Sequence, residues 1–389
     1  MRHLLLASAI AVGIAGAAYA ADPVRGVTDT EITIGTYTDL SGVTVAWGVN
    51  NSNAYRMAFD EVNAKGGING RKIKYIVEDN QYQVPRSIQA ANKLINRDNV
   101  FFLVANGGTP MNNAVLPDQL AKNVPNIFPL TSARSMAEPH HKLKFALLAS
   151  YYDGARAAVK YFAEKRGKKA ICTLAQDTDF GRDVTDGVAD QLKVQGMKLT
   201  AETKHKPTDT DFTSAAARLR DAKCDVVFFG TIVRDTIQGM SAIRKMGWDV
   251  DIVGPVASYD SAVAEVPGGI TEGYYAMATF ILLGAENPDP VGKAFYNNYV
   301  KLYGKEPNPA AQVGYTGAQV VIKALENAGK NLTVDSFLAG LEQVKGYKDM
   351  FGTPAITFAA DTHSGSTESF LAQVKGGKWI KAEASPLGF

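Results

Sequence analysis

The sequence predicts an α/β fold built from two doubly wound parallel sheets. Three observations carry this. Strand-like and helix-like segments alternate almost throughout the 389 residues, and the alternation runs to about residue 127 before restarting near residue 142. The length suits about two domains. The run at 100–104 is continuously apolar, as expected of a parallel strand covered on both faces.

The first array opens with an alternating strand at 32–34. Ala54, Met57, Ala58 and Val62 recur at helical spacing, and Gly66-Gly67 stops that helix as a left-handed cap. A strand follows at 73–77, and Pro85 suits the first turn of a helix carrying Ile88, Ala91, Leu94 and Ile95. After 100–104 come a helix over 113–121 and a strand near Ile127. In the second array, residues 142–148 lead into a helix over 155–165 and a strand at 170–174. Helices over 184–194, 212–222 and 237–246 then alternate with strands at 198–201, 226–229 and 252–253. After 274–278 the chain turns helical at 294–303, 313–328 and 334–344. It ends in a β tail at 355–358 and 370–374, closing with Lys378-Trp379.

Hydrophobic residues at 46% and charged residues at 21% exclude a disordered chain, a collagen or a pure coiled coil. Lys and Arg total 41 against 39 Asp and Glu, a net charge of +2. Nothing in that balance recruits DNA, RNA or an acidic membrane. The start reads Met1-Arg2-His3, an apolar stretch from Leu4 to Val12, then Ala18-Tyr19-Ala20. This is the pattern of an export leader, residues 1–20, cleaved after Ala20. No Cys stands at that point and no later apolar run reaches spanning length, so neither a lipid anchor nor membrane insertion is expected.

Cys172 lies within the strand at 170–174, and Cys224 immediately precedes the next strand. Counted along neighbouring strands, the two are out of step by several residues of about 3.3 Å each. A bridge needs Cα atoms within about 7 Å. Two buried free thiols are therefore expected, with a bridge as the alternative that export permits. There is no CxxC and no Cys/His cluster, and no cofactor is expected.

The phosphate-binding, dinucleotide-binding, zinc-protease and nucleophile-elbow signatures are all missing. His140-His141 follow Pro139 in a polar loop with no third ligand at a suitable spacing, so no metal is expected. His363, in Asp361-Thr362-His363-Ser364, reads as an exposed turn between strands rather than a member of a triad. Asp177 and Asp179 follow a strand, where they read either as paired acid/base carboxylates on a cleft lip or as caps of a helix.

Several segments in order carry a resemblance. They are Asp39-Leu40-Ser41-Gly42-Val43-Thr44-Val45-Ala46-Trp47-Gly48, Asn63-Ala64-Lys65-Gly66-Gly67-Ile68-Asn69-Gly70-Arg71-Lys72 and Glu78-Asp79-Asn80. Gln176-Asp177-Thr178-Asp179-Phe180-Gly181-Arg182-Asp183 and Asp209-Thr210-Asp211-Phe212 follow. This string resembles the periplasmic leucine/isoleucine/valine-binding proteins, the type I solute receptors of ABC importers. The resemblance spans essentially the whole chain after the leader. It implies two lobes joined by three hinge crossings, near Leu148, near Ala278 and near 351–354. Lobe 1 would comprise 21–149 plus 279–352, and lobe 2 would comprise 150–278 plus 353–389.

The resemblance also implies where a ligand carboxylate sits. Two first-lobe loops, Gly107-Gly108-Thr109-Pro110 and Pro129-Leu130-Thr131-Ser132, would hold it through hydroxyls and backbone N–H groups. Thr109 and Ser132 are the expected anchors, with helix capping as their other reading. Trp47 and Phe180 match the aromatic lids of the family. The departure lies in the second lobe. Amino-acid receptors of this kind carry a carboxylate just after a Gly-Pro, and here the segment reads Gly254-Pro255-Val256-Ala257. Ile232 stands where the family often has Tyr, so Phe180, Ile232 and Val256, with Tyr259 beside them, form an apolar wall. A buried unpaired ammonium costs several kcal/mol. The expected ligand is therefore a small carboxylate without an amino group and with an aromatic or aliphatic body. Arg134 and Arg234 are candidate cleft cations or solvated lip residues.

The resulting expectation is a periplasmic receptor, monomeric and not an enzyme, that delivers its ligand to an inner-membrane ABC permease. An amino-acid receptor of the same family and a sensor for a membrane kinase or chemoreceptor are the alternatives. An exported α/β hydrolase is disfavoured by the missing nucleophile elbow.

Overall fold

The computed structural model describes residues 23–285 and 289–389, so the expected leader lies outside the described residues. The first sheet holds β1 (Glu31–Thr38), β2 (Lys72–Asp79), β3 (Phe102–Val104), β4 (Asn126–Ile127) and β5 (Lys144–Phe145). All are parallel, in the order β2-β1-β3-β4-β5. Helices α1 (Val45–Ala64), α2 (Val84–Asn96) and α3 (Thr109–Ala121) make the crossovers. The second sheet holds β6 (Ile171–Gln176), β7 (Ala201–His205), β8 (Val226–Gly230), β9 (Asp251–Gly254) and β10 (Tyr275–Ala278). Its edge adds β11 (Phe370–Lys375) and β12 (Lys378–Lys381). Helices α4 (Tyr151–Glu164), α5 (Asp179–Val194), α6 (Thr213–Asp221), α7 (Val233–Lys245) and the single turn α8 (Ser261–Ala264) accompany these strands.

The parallel part of the second sheet runs β7-β6-β8-β9-β10, the same winding as the first sheet. Each sheet therefore has a switch point where crossovers diverge, between β1 and β3 and between β6 and β8. In such sheets a crevice opens at the carboxyl ends of the strands, at that point. The departure from an all-parallel plan is the antiparallel pairing of β11 with β10 and of β12 with β11. Every residue of β3 and β8 is buried, which is why their sequences are apolar without alternation.

After β10 the chain returns to the first sheet as α9 (Pro290–Tyr303), α10 (Pro309–Ala328) and α11 (Val334–Glu342). Phe337 of α11 stacks on Phe102 of β3 at 4.6 Å between ring centroids. Tyr299 donates its hydroxyl to Asn50 Oδ1 at 2.7 Å, fixing α9 against α1.

The third passage between lobes comes later than the expected 351–354. Ala146 N donates to His363 O and Gly365 N donates to Ala146 O, both at 2.9 Å, so this stretch extends the β5 side of the first sheet. Phe358 packs on Phe128 at 5.5 Å and on Phe145 at 5.4 Å. That apolar anchor keeps residues 355–365 with the first lobe, and the chain joins the second sheet only at β11. His363 is likewise not an exposed turn. It is buried, stacks on Phe145 at 3.7 Å and donates Nδ1–H to Lys144 O at 2.9 Å. Its sequence context is polar, but the strand it lies against is not.

Cys172 and Cys224 form a disulfide, with Cα atoms 5.9 Å apart, in place of the expected free thiols. Register counting fails because it takes the chain before β8 as extended. Lys223 adopts a left-handed φ of 59°, and Cys224 N donates back to Leu219 O at 3.3 Å. The turn folds Cys224 over β6 instead of along its own strand.

The bridge closes a loop of 52 residues, so removing it should lower unfolding stability by about 2–4 kcal/mol. Urea unfolding of a Cys172→Ala/Cys224→Ala variant checks this, and thiol titration of the denatured native protein should find no free Cys.

Burial holds the His363 imidazole below its ordinary 6.5, with His140 adding to that effect and Glu342 opposing it. The unfolded chain binds this proton at ordinary pH and the folded one resists it. Stability should therefore fall as pH drops below about 6.5. Melting curves from about pH 7.5 to about pH 5.5 should show this loss, with a shallower slope for His363→Gln.

Candidate functional site

The loop after β1 is organised by one buried carboxylate. Asp39 accepts from Gly42 N at 2.5 Å, Ser41 N at 3.2 Å and Thr44 N at 2.7 Å, and from Thr44 Oγ1 at 2.8 Å. This starts α1 with Trp47 in its first turn, facing the switch point. The loop after β2 packs beside it. Asp79 accepts from Leu40 N and Ser41 Oγ, at 2.9 and 2.6 Å. Burial acts against the Asp79 charge, but bonds from Ser41, Leu40 and Gln81 outweigh it and hold the carboxyl below its ordinary range. Gln81 and Tyr82 both take left-handed φ values, 51° and 54°, and Asn80 Oδ1 accepts from Tyr82 N at 3.0 Å. That double turn places Tyr82 in the cleft.

The loops after β3 and β4 meet at their hydroxyls. Thr109 Oγ1 lies 2.6 Å from Thr131 Oγ1. One proton occupies that bond, which leaves the second for another acceptor. Thr109 opens α3, whose first-turn amides have no intrahelical acceptor. Ser132 O accepts from Tyr151 N at 2.8 Å, tying this loop to the start of α4. Opposite stand Phe180 in the first turn of α5, Ile232 before α7 and Val256 after β9. Phe180 meets Tyr151 edge-on at 5.1 Å.

Together these loops enclose a cleft of about 940 Å³ of empty space, part of it open to solvent. Six of its walls are aromatic: Trp47, Tyr55, Tyr82, Phe128, Tyr151 and Phe180. Among the described residues, no Asp, Glu, Lys, Arg or His lines it. Burial pushes the Tyr82 and Tyr151 phenols above the ordinary tyrosine range, so both stay protonated. Such a cleft offers hydroxyl and amide dipoles at one end and apolar surface at the other. Among the described residues, no three His, Cys, Asp or Glu are placed to hold a metal ion.

Trp47, Thr109, Leu130, Thr131, Ser132, Phe180, Ile232 and Val256 all line the cleft. Pro110 and Tyr259 do not. Pro110 serves the first turn of α3, where its missing N–H costs nothing. Tyr259 is core: its ring packs on Phe280 and Trp379 at 5.7 and 4.8 Å, and its hydroxyl accepts from Leu282 N at 3.3 Å.

Neither candidate arginine reaches the cleft. Arg234 pairs with Asp235 at 2.6 Å and donates to Pro207 O. Burial pushes the Asp235 carboxyl up, and the hydrogen bond from Arg234 pulls it back. Arg134 pairs with Asp183 and Asp186. Asp179 stands on the lip, where it accepts from Asn113 Nδ2 across the two lobes at 3.0 Å, while Asp177 is exposed beside it. Sequence reasoning missed Tyr82, Tyr151 and Asn51. Tyr82 follows Glu78-Asp79-Asn80, and its position depends on two left-handed residues that no pattern announces.

A family model described as periplasmic binding protein matches residues 31–378. The chain is 24% identical over 331 residues to the leucine-, isoleucine-, valine-, threonine- and alanine-binding protein of Pseudomonas aeruginosa, covering 85% of each chain. It superposes on a fatty acid ABC transporter substrate-binding protein from Thermomonospora curvata with a TM-score of 0.83, at 24% identity and 94% coverage of each chain. It also superposes on a branched-chain amino acid ABC transporter protein from Thermus thermophilus with bound valine, with a TM-score of 0.84 at 16% identity, covering 93% of this chain and 98% of that one. With most of its length matched, the chain belongs to the periplasmic binding protein family, as a substrate-binding receptor and not an enzyme.

Proposed function

We propose that this chain is the exported solute receptor of an ABC importer, and that it captures a small carboxylate lacking an amino group between two closing lobes. The observation that supports this most is the uncharged cleft. A carboxylate is stabilised there by dipoles alone, from the first-turn amides of α3 and from the Thr109 and Ser132 hydroxyls. An ammonium group finds no carboxylate partner in the lining. A penalty of about 4 kcal/mol for that loss weakens binding by nearly three orders of magnitude. Trp47, Tyr82, Phe180, Ile232 and Val256 suit an aromatic or medium-chain body. The receptor works as a monomer in the periplasm, after loss of residues 1–20, and hands its ligand to an inner-membrane permease.

The second reading is an amino-acid receptor, favoured by the name of the Pseudomonas relative. The superpositions do not choose, because one similar structure is a fatty-acid receptor and another holds valine.

Calorimetry with leucine, isoleucine and valine beside benzoate, 3-phenylpropanoate and octanoate separates the two. At least one carboxylate should bind far more tightly than any of the three amino acids. Submicromolar leucine affinity would overturn the reading. Thr109→Val, which keeps the side-chain shape, should weaken carboxylate binding about ten- to a hundredfold through loss of one charge-assisted hydrogen bond. Val256→Glu should weaken it as well, by burying an unpaired acid beside an apolar group.

A further inference from the structure

Outside the ligand cleft, a second set of contacts joins the lobes. Arg134 occupies a short 3-10 turn between β4 and β5, on the first lobe. Asp183 and Asp186 lie on α5 of the second lobe, three residues apart and therefore on one face. Arg134 Nε donates to Asp183 Oδ1 at 3.2 Å, its amide donates to Asp183 Oδ2 at 3.2 Å, and its second terminal nitrogen meets Asp186 Oδ2 at 3.1 Å. The guanidinium also stacks on the Tyr152 ring, 3.9 Å from its centroid. Beside it, Ser135 Oγ donates to Asn113 Oδ1 at 2.9 Å, and Asn113 Nδ2 donates to Asp179 Oδ2 at 3.0 Å. The Asp183 side chain keeps only 9% of its exposure, so its charge depends on this partner.

We infer that Arg134, Asp183 and Asp186 form a closure latch, which engages when the lobes shut and sets how much of the receptor is closed. This rests on the clamshell reading above. A group that stabilises only the closed form multiplies the affinity for every ligand by one common factor, because apparent affinity scales with the population of the competent state. A cleft residue, by contrast, changes affinity ligand by ligand. The latch also acts after the ligand has docked, so its loss is felt in dissociation rather than association.

The test uses the full mature chain with Arg134→Met, which keeps the apolar stem, and with the charge swap Arg134→Asp/Asp183→Arg. Small-angle scattering of the unliganded protein should show a larger radius of gyration for Arg134→Met and a return towards the native value for the swap. Octanoate, 3-phenylpropanoate and leucine are the probes for calorimetry and stopped flow. Each probe that binds should lose about the same factor, on the order of tenfold, through faster dissociation, and the swap should recover most of it. High salt should narrow the difference between native protein and variant. An unchanged radius and unchanged affinities in a variant that melts normally would overturn the latch, since the pair would then persist in the open form. Losses that differ between probes would overturn it too, because they would place Arg134 in the ligand's own contacts. If no probe binds, the carboxylate reading fails while the radius alone still decides the latch.

Discussion

The cleft rests on the close approach of two helices to two strand ends. Gly48 in the first turn of α1 lies against the Asp39 carbonyl, and Gly181 in the first turn of α5 lies against the Gln176 carbonyl. A Cβ at either position would overlap that oxygen, so only glycine lets each helix begin so near its strand. The residue before each glycine is aromatic, Trp47 in one lobe and Phe180 in the other, and both line the cleft. The two lobes thus repeat one device: a strand end, a tight turn, and an aromatic ring set over the switch point by the glycine behind it.

Charge is divided between the cleft and its rim. Among the described residues the lining holds no Asp, Glu, Lys, Arg or His, while Asp179, Asp183, Asp186 and Arg134 stand just outside it. Closing such a site removes water from around fixed dipoles, and hydrogen bonds to an anion strengthen as the local dielectric falls. The rim charges meet one another: Arg134 pairs with Asp183 and Asp186, and Arg182 with Asp179.

Much of this was legible in the sequence, for identifiable reasons. The β/α alternation is dictated by periodicity, and parallel strands covered on both faces must be apolar, as 100–104 is. The loops that line the cleft follow strand ends, which is where winding of this kind places a crevice. What escaped depends on single backbone turns or on long-range packing. The disulfide required the left-handed Lys223, and the cleft position of Tyr82 required two left-handed residues in succession. His363 looked exposed because its neighbours Asp361, Thr362 and Ser364 are polar, yet Phe145 reaches it from 218 positions earlier in the chain, a contact no local pattern reports. The late third crossing has the same origin, since Phe358 is claimed by Phe128 and Phe145.

The return of α9, α10 and α11 to the first lobe has a consequence for how the chain is made. Asn51 of α1 donates to Ala310 O of α10 across 259 positions of sequence, and Phe102 waits for Phe337. At about 5–20 residues per second, roughly 13 to 52 seconds of synthesis separate the two halves of that hydrogen bond. Through that interval the buried seam of α1 and the face of β3 have no native cover, while the intervening second lobe already has most of its strands. The lobe begun first therefore stays incomplete until α10 and α11 have emerged, and the edge strands β11 and β12 of the second lobe are made later still.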